Sequence, residues 1–127
     1  MLTNEVGFEE LVLILQKFGL RYSPSRESEI ESELVKYLMF NNLNPKEQVI
    51  KNTKRFDIVV SPYIIEIKRV AGKNIVDQLD SYSAYCEGLV VVCWKASESL
   101  KLIFDAESKS AKIPVALIEV RNNSGFL

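Results

Sequence analysis

The stretch RFDIVVSPYIIEIK, residues 55–68, decides how the chain is read. Two runs rich in Ile and Val flank Ser61-Pro62, so it is expected to form two short buried strands, 55–60 and 63–69, joined by a tight reversal. Buried strands exclude charge, yet Asp57, Glu66 and Lys68 lie inside them. Side chains alternate faces along a strand. Asp57 is therefore expected to share a face with Val59, while Phe56, Ile58 and Val60 take the other. Glu66 and Lys68 share a face opposite Ile65 and Ile67. A two-residue loop at Ser61-Pro62 sets Asp57 opposite Glu66. Moving the turn by one step sets Asp57 opposite Lys68 instead. The second register is preferred, because proline suits the second position of a common turn. Either way the three charged groups gather on one side of the sheet. Two adjacent carboxylates repel each other and resist desolvation. A divalent cation, bound through oxygen, offsets both effects.

Working outward, residues 27–40 are expected to form a helix on which Glu31, Leu34, Val35 and Leu38 share the apolar face. Glu31 is thus a third carboxylate turned towards the core. An earlier helix is expected over residues 3–18, capped by Thr3 and stopped at Gly19. Residues 47–51 form a weak strand. A third helix is expected over 75–86, opened by a capping box of Asn74 and Asp77. The apolar run 89–94 is a strand, 98–108 a helix, and VALIEV a last strand after Pro114. Strands mixed with crossover helices predict one α/β domain over residues 1–127, a central mixed sheet flanked by helices.

Composition removes much other chemistry. The 127 residues contain no histidine, which excludes Ser-His-Asp and Cys-His catalysis and histidine ligation. Cys86 and Cys93 are expected as free buried thiols, in keeping with a reducing, intracellular (cytoplasmic) setting. No glycine-rich phosphate loop is present. No apolar run approaches the roughly 20 residues needed to cross a bilayer, so no membrane role is expected. The net charge of −1 is unevenly spread. Residues 46–73 carry seven basic and three acidic groups, a local excess of four positive charges in an otherwise acidic chain. Such a patch suits a polyanion.

The charged set resembles the PD-(D/E)xK nuclease superfamily, with its restriction-endonuclease-like αβββαβ core. The resemblance rests on Asp57 followed by Glu66-Ile67-Lys68, with Phe56 where proline usually precedes the first acid. IESELVKYL (30–38) is similar to the first helix of archaeal Holliday junction resolvases, which places their glutamate on Glu31. QLDSY (78–82) is similar to a motif of RecB-type nucleases. The resemblance covers residues 27–95. It implies Mg²⁺ or Mn²⁺ held by Asp57, Glu66 and the carbonyl of Ile67, with Glu31 on the metal or its water. It implies that Lys68 orients or deprotonates the attacking water, and that Gln78 and Tyr82 contact substrate or brace the site. Lys54, Arg55, Arg69 and Lys73 are candidates for a phosphate track on DNA. The implied activity is metal-dependent cleavage of DNA. A dimeric Holliday junction resolvase and a catalytically silent DNA-binding module of the same fold are the alternatives. So small a chain would dimerise or rely on a targeting partner protein.

Overall fold

The structure is a computed structural model and describes residues 5–123. Its framework is a five-stranded mixed sheet of order β2-β3-β4-β5-β6. The strands are β2 (Lys46–Lys51), β3 (Lys54–Val60), β4 (Tyr63–Val70), β5 (Gly88–Lys95) and β6 (Val115–Glu119). β2, β3 and β4 run antiparallel in succession, whereas β4, β5 and β6 are parallel. A separate parallel pair joins β1 (Gly19–Leu20) to β7 (Arg121–Asn122). The chain is thus α/β with a mixed sheet, as the strand and helix pattern predicts.

Helices cover both faces. α1 (Phe8–Gln16) and α2 (Glu27–Phe40) bury Leu11, Leu15, Ile30, Leu34 and Leu38 against Ile58, Ile65, Val90 and Val92. On the other face, α3 (Asn74–Asp77), a 3-10 segment over Leu79–Ala84, and α4 (Glu98–Ser108) pack Ile75, Leu79, Leu100 and Phe104 against Ile64, Leu89 and Val91. β5 is buried along its length up to Lys95, which is why GLVVVCW carries no polar residue.

Local chemistry fixes the ends of the elements. Glu29, in the first turn of α2, reaches back to the Ser25 backbone N–H at 2.7 Å and its hydroxyl at 3.0 Å. These bonds tie the first turn of α2 to Ser25, the residue before its cap position, Arg26. Ser97 caps α4 by accepting from the Leu100 N–H. Gly88 opens β5 where a side chain would collide with the Phe8 ring. That ring meets Tyr63 edge-on, 5.6 Å between centroids.

Four expectations are corrected. α1 begins at Phe8 behind Gly7, and Thr3 lies outside the described residues. Gly19 does not stop α1, which ends at Gln16 with Lys17 at its cap; it starts a short strand. The third helix is not continuous over 75–86. One α-turn gives way to a 3-10 segment, and Lys73 occupies the cap position with no side-chain capping bond. Ser81 and Ser83 donate to the carbonyls of Gln78 and Asp80, three residues back, at 2.7 and 2.8 Å. Those bonds compete with the α-helical ladder. The β3–β4 register is the one not preferred: Val60 pairs Tyr63, Val59 pairs Ile64 and Ile58 pairs Ile65. This arrangement matches apolar with apolar, whereas the other would set Val59 against Glu66. Pro62 takes the third position of the turn, with a cis bond to Ser61.

Ile65, fully buried at the centre of the sheet, sets a stability test. Ile65→Ala is expected to lose about 2–5 kcal/mol in urea denaturation. Leu102→Ala, at a position 72% exposed, should change stability by less than about 0.5 kcal/mol. Similar losses at both positions would contradict this placement of the core.

Candidate functional site

The β3–β4 ladder stops at Ile58 and Ile65, and the next opposed residues are Asp57 and Glu66. Here the carboxylates replace the ladder. The Ile67 N–H donates to Asp57 Oδ2 at 2.8 Å, and the Asp57 N–H donates to Glu66 Oε1 at 3.3 Å. Each acid thus satisfies a backbone donor of the opposite strand.

On its other side β3 is irregular at the same level. Glu47 pairs Ile58 and Val49 pairs Phe56, but Gln48 and Asp57 between them form no ladder pair. Gln48 has a φ of 51°, in the left-handed region. The strict alternation expected for β3 therefore fails at Asp57. Phe56 packs with Val59 on the α3–α4 face, while Ile58 and Val60 pack beneath α1 and α2. Asp57 stands at this crossover of faces.

α2 brings in Glu31, half-buried, and Gln48 Nε2 donates to Glu31 Oε1 at 2.8 Å. The Glu47 carboxyl lies against Glu31 and the charge of Asp57 acts on it. Burial, with Glu47 and Asp57 beside it, pushes the Glu31 carboxyl up to about 7. Glu66 is 7% exposed, the one buried charged residue among the described residues. Burial first, then the charge of Asp57, pushes its carboxyl up to about 8; Lys68 and the Asp57 N–H pull the other way. Among the described residues four ion pairs form, and none includes Glu31, Asp57, Glu66 or Lys68. The cluster holds more negative charge than its neighbours neutralise.

The other predicted residues separate into two groups. Lys68 is half-buried at the carboxyl end of β4, near enough to act on Glu66. Tyr82 is buried: its ring packs on Phe56 at 5.9 Å, and Asp57 and Glu66 act on its hydroxyl, which burial pushes well above the usual range. Lys54 Nζ lies over the rings of Tyr82 and Tyr85, 5.1 and 5.6 Å from their centroids. Gln78 is exposed, at the break between α3 and the 3-10 segment. Arg55, Arg69 and Lys73 are exposed. The Arg69 N–H donates to Glu27 Oε2 at 3.2 Å, which ties β4 to the first turn of α2.

Sequence reasoning missed Glu47 and Gln48. The signal was two polar residues in a weak strand, and only the β2–β3 register brings them level with Asp57.

The oxygen donors fit a hard divalent cation. Mg²⁺ needs only one or two carboxylates and keeps several waters, and Asp57 and Glu66 supply two. Among the described residues no three acidic side chains are grouped closely enough to share one ion. Glu31 is thus near enough for the charge of Asp57 to act on it but does not complete a three-acid group. Comparison with protein-family models, with curated proteins and with solved structures returns no match.

Glu66 gives the metal-free protein a pH signature. Its carboxyl titrates near 4.5 when unfolded and near 8 when folded. The folded state therefore binds the extra proton between those values, so its contribution to stability is present below about 4.5 and is lost as pH rises to about 8. In EDTA, Glu66→Gln should raise Tm at pH 8 by several degrees and change it little at pH 4.5. Equal effects at both pH values would show that the charge of Glu66 is not the destabilising element.

Proposed function

We propose that the domain is a metal-dependent nuclease that hydrolyses phosphodiester bonds in DNA. One observation carries this reading: Asp57 and Glu66 face each other where two buried strands part, with Lys68 two residues on and, among the described residues, no ion pair to either acid. Asp57 and Glu66 would hold Mg²⁺ or Mn²⁺, with the Ile67 carbonyl as a further ligand. When bound, the metal supplies Lewis-acid polarisation of the phosphate and a lower pKa for water.

The chain's own residues carry the rest. Asp57, fixed by the Ile67 N–H, and Glu66, fixed by the Asp57 N–H, are held before any ligand arrives. Lys68 presents an ammonium beside them. It orients the attacking water and offsets charge that develops on the phosphate. Glu31, kept in place by Gln48, accepts a proton or a hydrogen bond from water near the pair. Tyr82 and Phe56 wall the site on the α3–α4 face and limit solvent. No histidine is required, in keeping with the composition. A four-way junction or another branched duplex is the substrate of the resolvase form of this activity.

The test is cleavage of labelled single-strand, duplex, flap and four-way-junction DNA in Mg²⁺, Mn²⁺ or EDTA. Asp57→Ala and Lys68→Ala should each lower the rate at least about 100-fold, the scale of losing a charge-stabilising group. Titration calorimetry should show Mn²⁺ binding lost in Asp57→Ala and retained in Lys68→Ala. A folded wild-type protein that binds DNA but cuts none of the substrates would make it a binding module. The carboxylates would then be structural replacements for the missing ladder bonds.

A further inference from the structure

We infer that the cleft at the carboxyl ends of β5 and β6 binds the phosphodiester backbone of one nucleic-acid strand, extending the site beyond the carboxylates. This rests on the nuclease reading for its choice of ligand. The cleft, about 550 Å³, is lined by Trp94, Lys95, Glu119, Arg121 and Asn122. Ligands of open α/β sheets bind outside the carboxyl ends of parallel strands, and β4, β5 and β6 are the parallel part of this sheet.

Register sets the cleft one strand over from β4. Lys95 pairs Val70, which follows Lys68 and Arg69 on β4. At about 4.8 Å per strand spacing, β6 lies about 10 Å from β4. A strand crossing the sheet end from the carboxylates would thus meet Arg69, Lys95 and Arg121 in turn.

Charge separates this cleft from the two others. The cleft between β1 and α2 carries Arg21 against Glu29 and Glu33. The cleft beside α3 carries Lys73 against Asp77, Asp80 and Glu107. Of these three clefts among the described residues, the β5–β6 cleft alone has more cations than anions, Lys95 and Arg121 against Glu119. Glu119 is itself taken up by Lys101 at 3.1 Å and by the Ala96 N–H at 2.9 Å. Lys95 and Arg121 are exposed and enter no ion pair among the described residues. Trp94 forms part of the wall, and its buried indole N–H has no acceptor among the described residues. A volume of this size takes a nucleotide or two of a single strand rather than a duplex.

Trp94 is the sole tryptophan of the chain, so its emission reports on this cleft. Wild-type protein in EDTA would be titrated with single-stranded 12-mers of DNA and of RNA, with anisotropy of a labelled oligonucleotide measured in parallel. The expected result is a saturable change in Trp94 emission that tracks anisotropy and weakens with salt. Lys95→Ala/Arg121→Ala should bind about tenfold more weakly. Its slope of log K against log salt should be shallower by about 1.4, the value for two lost phosphate contacts on a single strand. Mn²⁺-dependent hydrolysis of bis(p-nitrophenyl) phosphate, too small to span the cleft, should be unchanged in that variant.

DNA and RNA binding alike would assign the shared backbone as the ligand, and a preference would assign the sugar. Binding by anisotropy with no emission change, or unaltered affinity in the double variant, would overturn the inference. So would an equal emission change with a poly-glutamate peptide. A wild-type protein that binds through the cleft but never cuts leaves the cleft standing and removes the nuclease reading. Cutting without the emission response removes the cleft alone.

Discussion

Everything distinctive in this fold turns on two carboxylates that face each other where the β3–β4 ladder ends. Ordinary pairing would continue past Ile58 and Ile65, and the backbone donors of Asp57 and Ile67 would find carbonyls. Instead they find Glu66 and Asp57. The exchange settles the hydrogen bonding but leaves an electrostatic debt. Two acids approach each other in a site where one is almost wholly buried, and Glu31 and Glu47 add further negative charge near them. The upward push on Glu66 and Glu31 is the physical expression of that crowding. Repulsion, desolvation and the opening of the strands share one origin.

How much of this could be read in the sequence depends on the range of the interaction that decides it. α2 and α4 fall over the residues the sequence assigns to them, because helical signals are local. β3, β4 and β5 likewise follow from Ile- and Val-rich runs. The preferred register did not survive, because both turns satisfied local chemistry. The choice rested on pairing Val59 with Ile64 rather than with Glu66. The break in alternation at Asp57 was equally hidden, since it sits opposite Gln48 of the neighbouring strand, whose φ is positive. The third helix failed for a local reason that could have been weighed: serines at 81 and 83 bond back to the chain. Of the site, Asp57, Glu66 and Glu31 come near one another as the sequence suggests.

The unevenness of charge also has a structural counterpart. β4, β5 and β6 are parallel, so Lys68, Arg69 and Lys95 emerge at one end of the sheet. The β2–β3 hairpin turns back at the same end and adds Lys51, Lys54 and Arg55. Some of these cations are already engaged: Lys54 by two tyrosine rings and Lys51 by the Tyr85 carbonyl at 3.3 Å. Arg55, Arg69 and Lys95 remain exposed. A chain with a net charge of −1 can therefore present a positive end, because topology sorts the charges that composition averages.

A purely structural role would be served as well by other side chains. Hydrophobic residues of similar volume commonly equal or exceed buried charge in stability, and the residues of β4 before Glu66 and Ile67 after it are apolar or aromatic. A neutral amide at position 66 could accept from the Asp57 N–H without the repulsion that Asp57 exerts on a carboxylate. What the amide could not do is bring a second negative charge to the same point as Asp57. On the proposed function, two carboxylates held by backbone N–H groups and flanked by a half-buried lysine would be a poor structural joint but a seat for a divalent cation, whose charge would favour their ionised forms. The same reasoning gives Lys68 its place. A lysine close enough to pair fully with Glu66 would neutralise the seat, whereas one that only biases it leaves the charge for a ligand to meet.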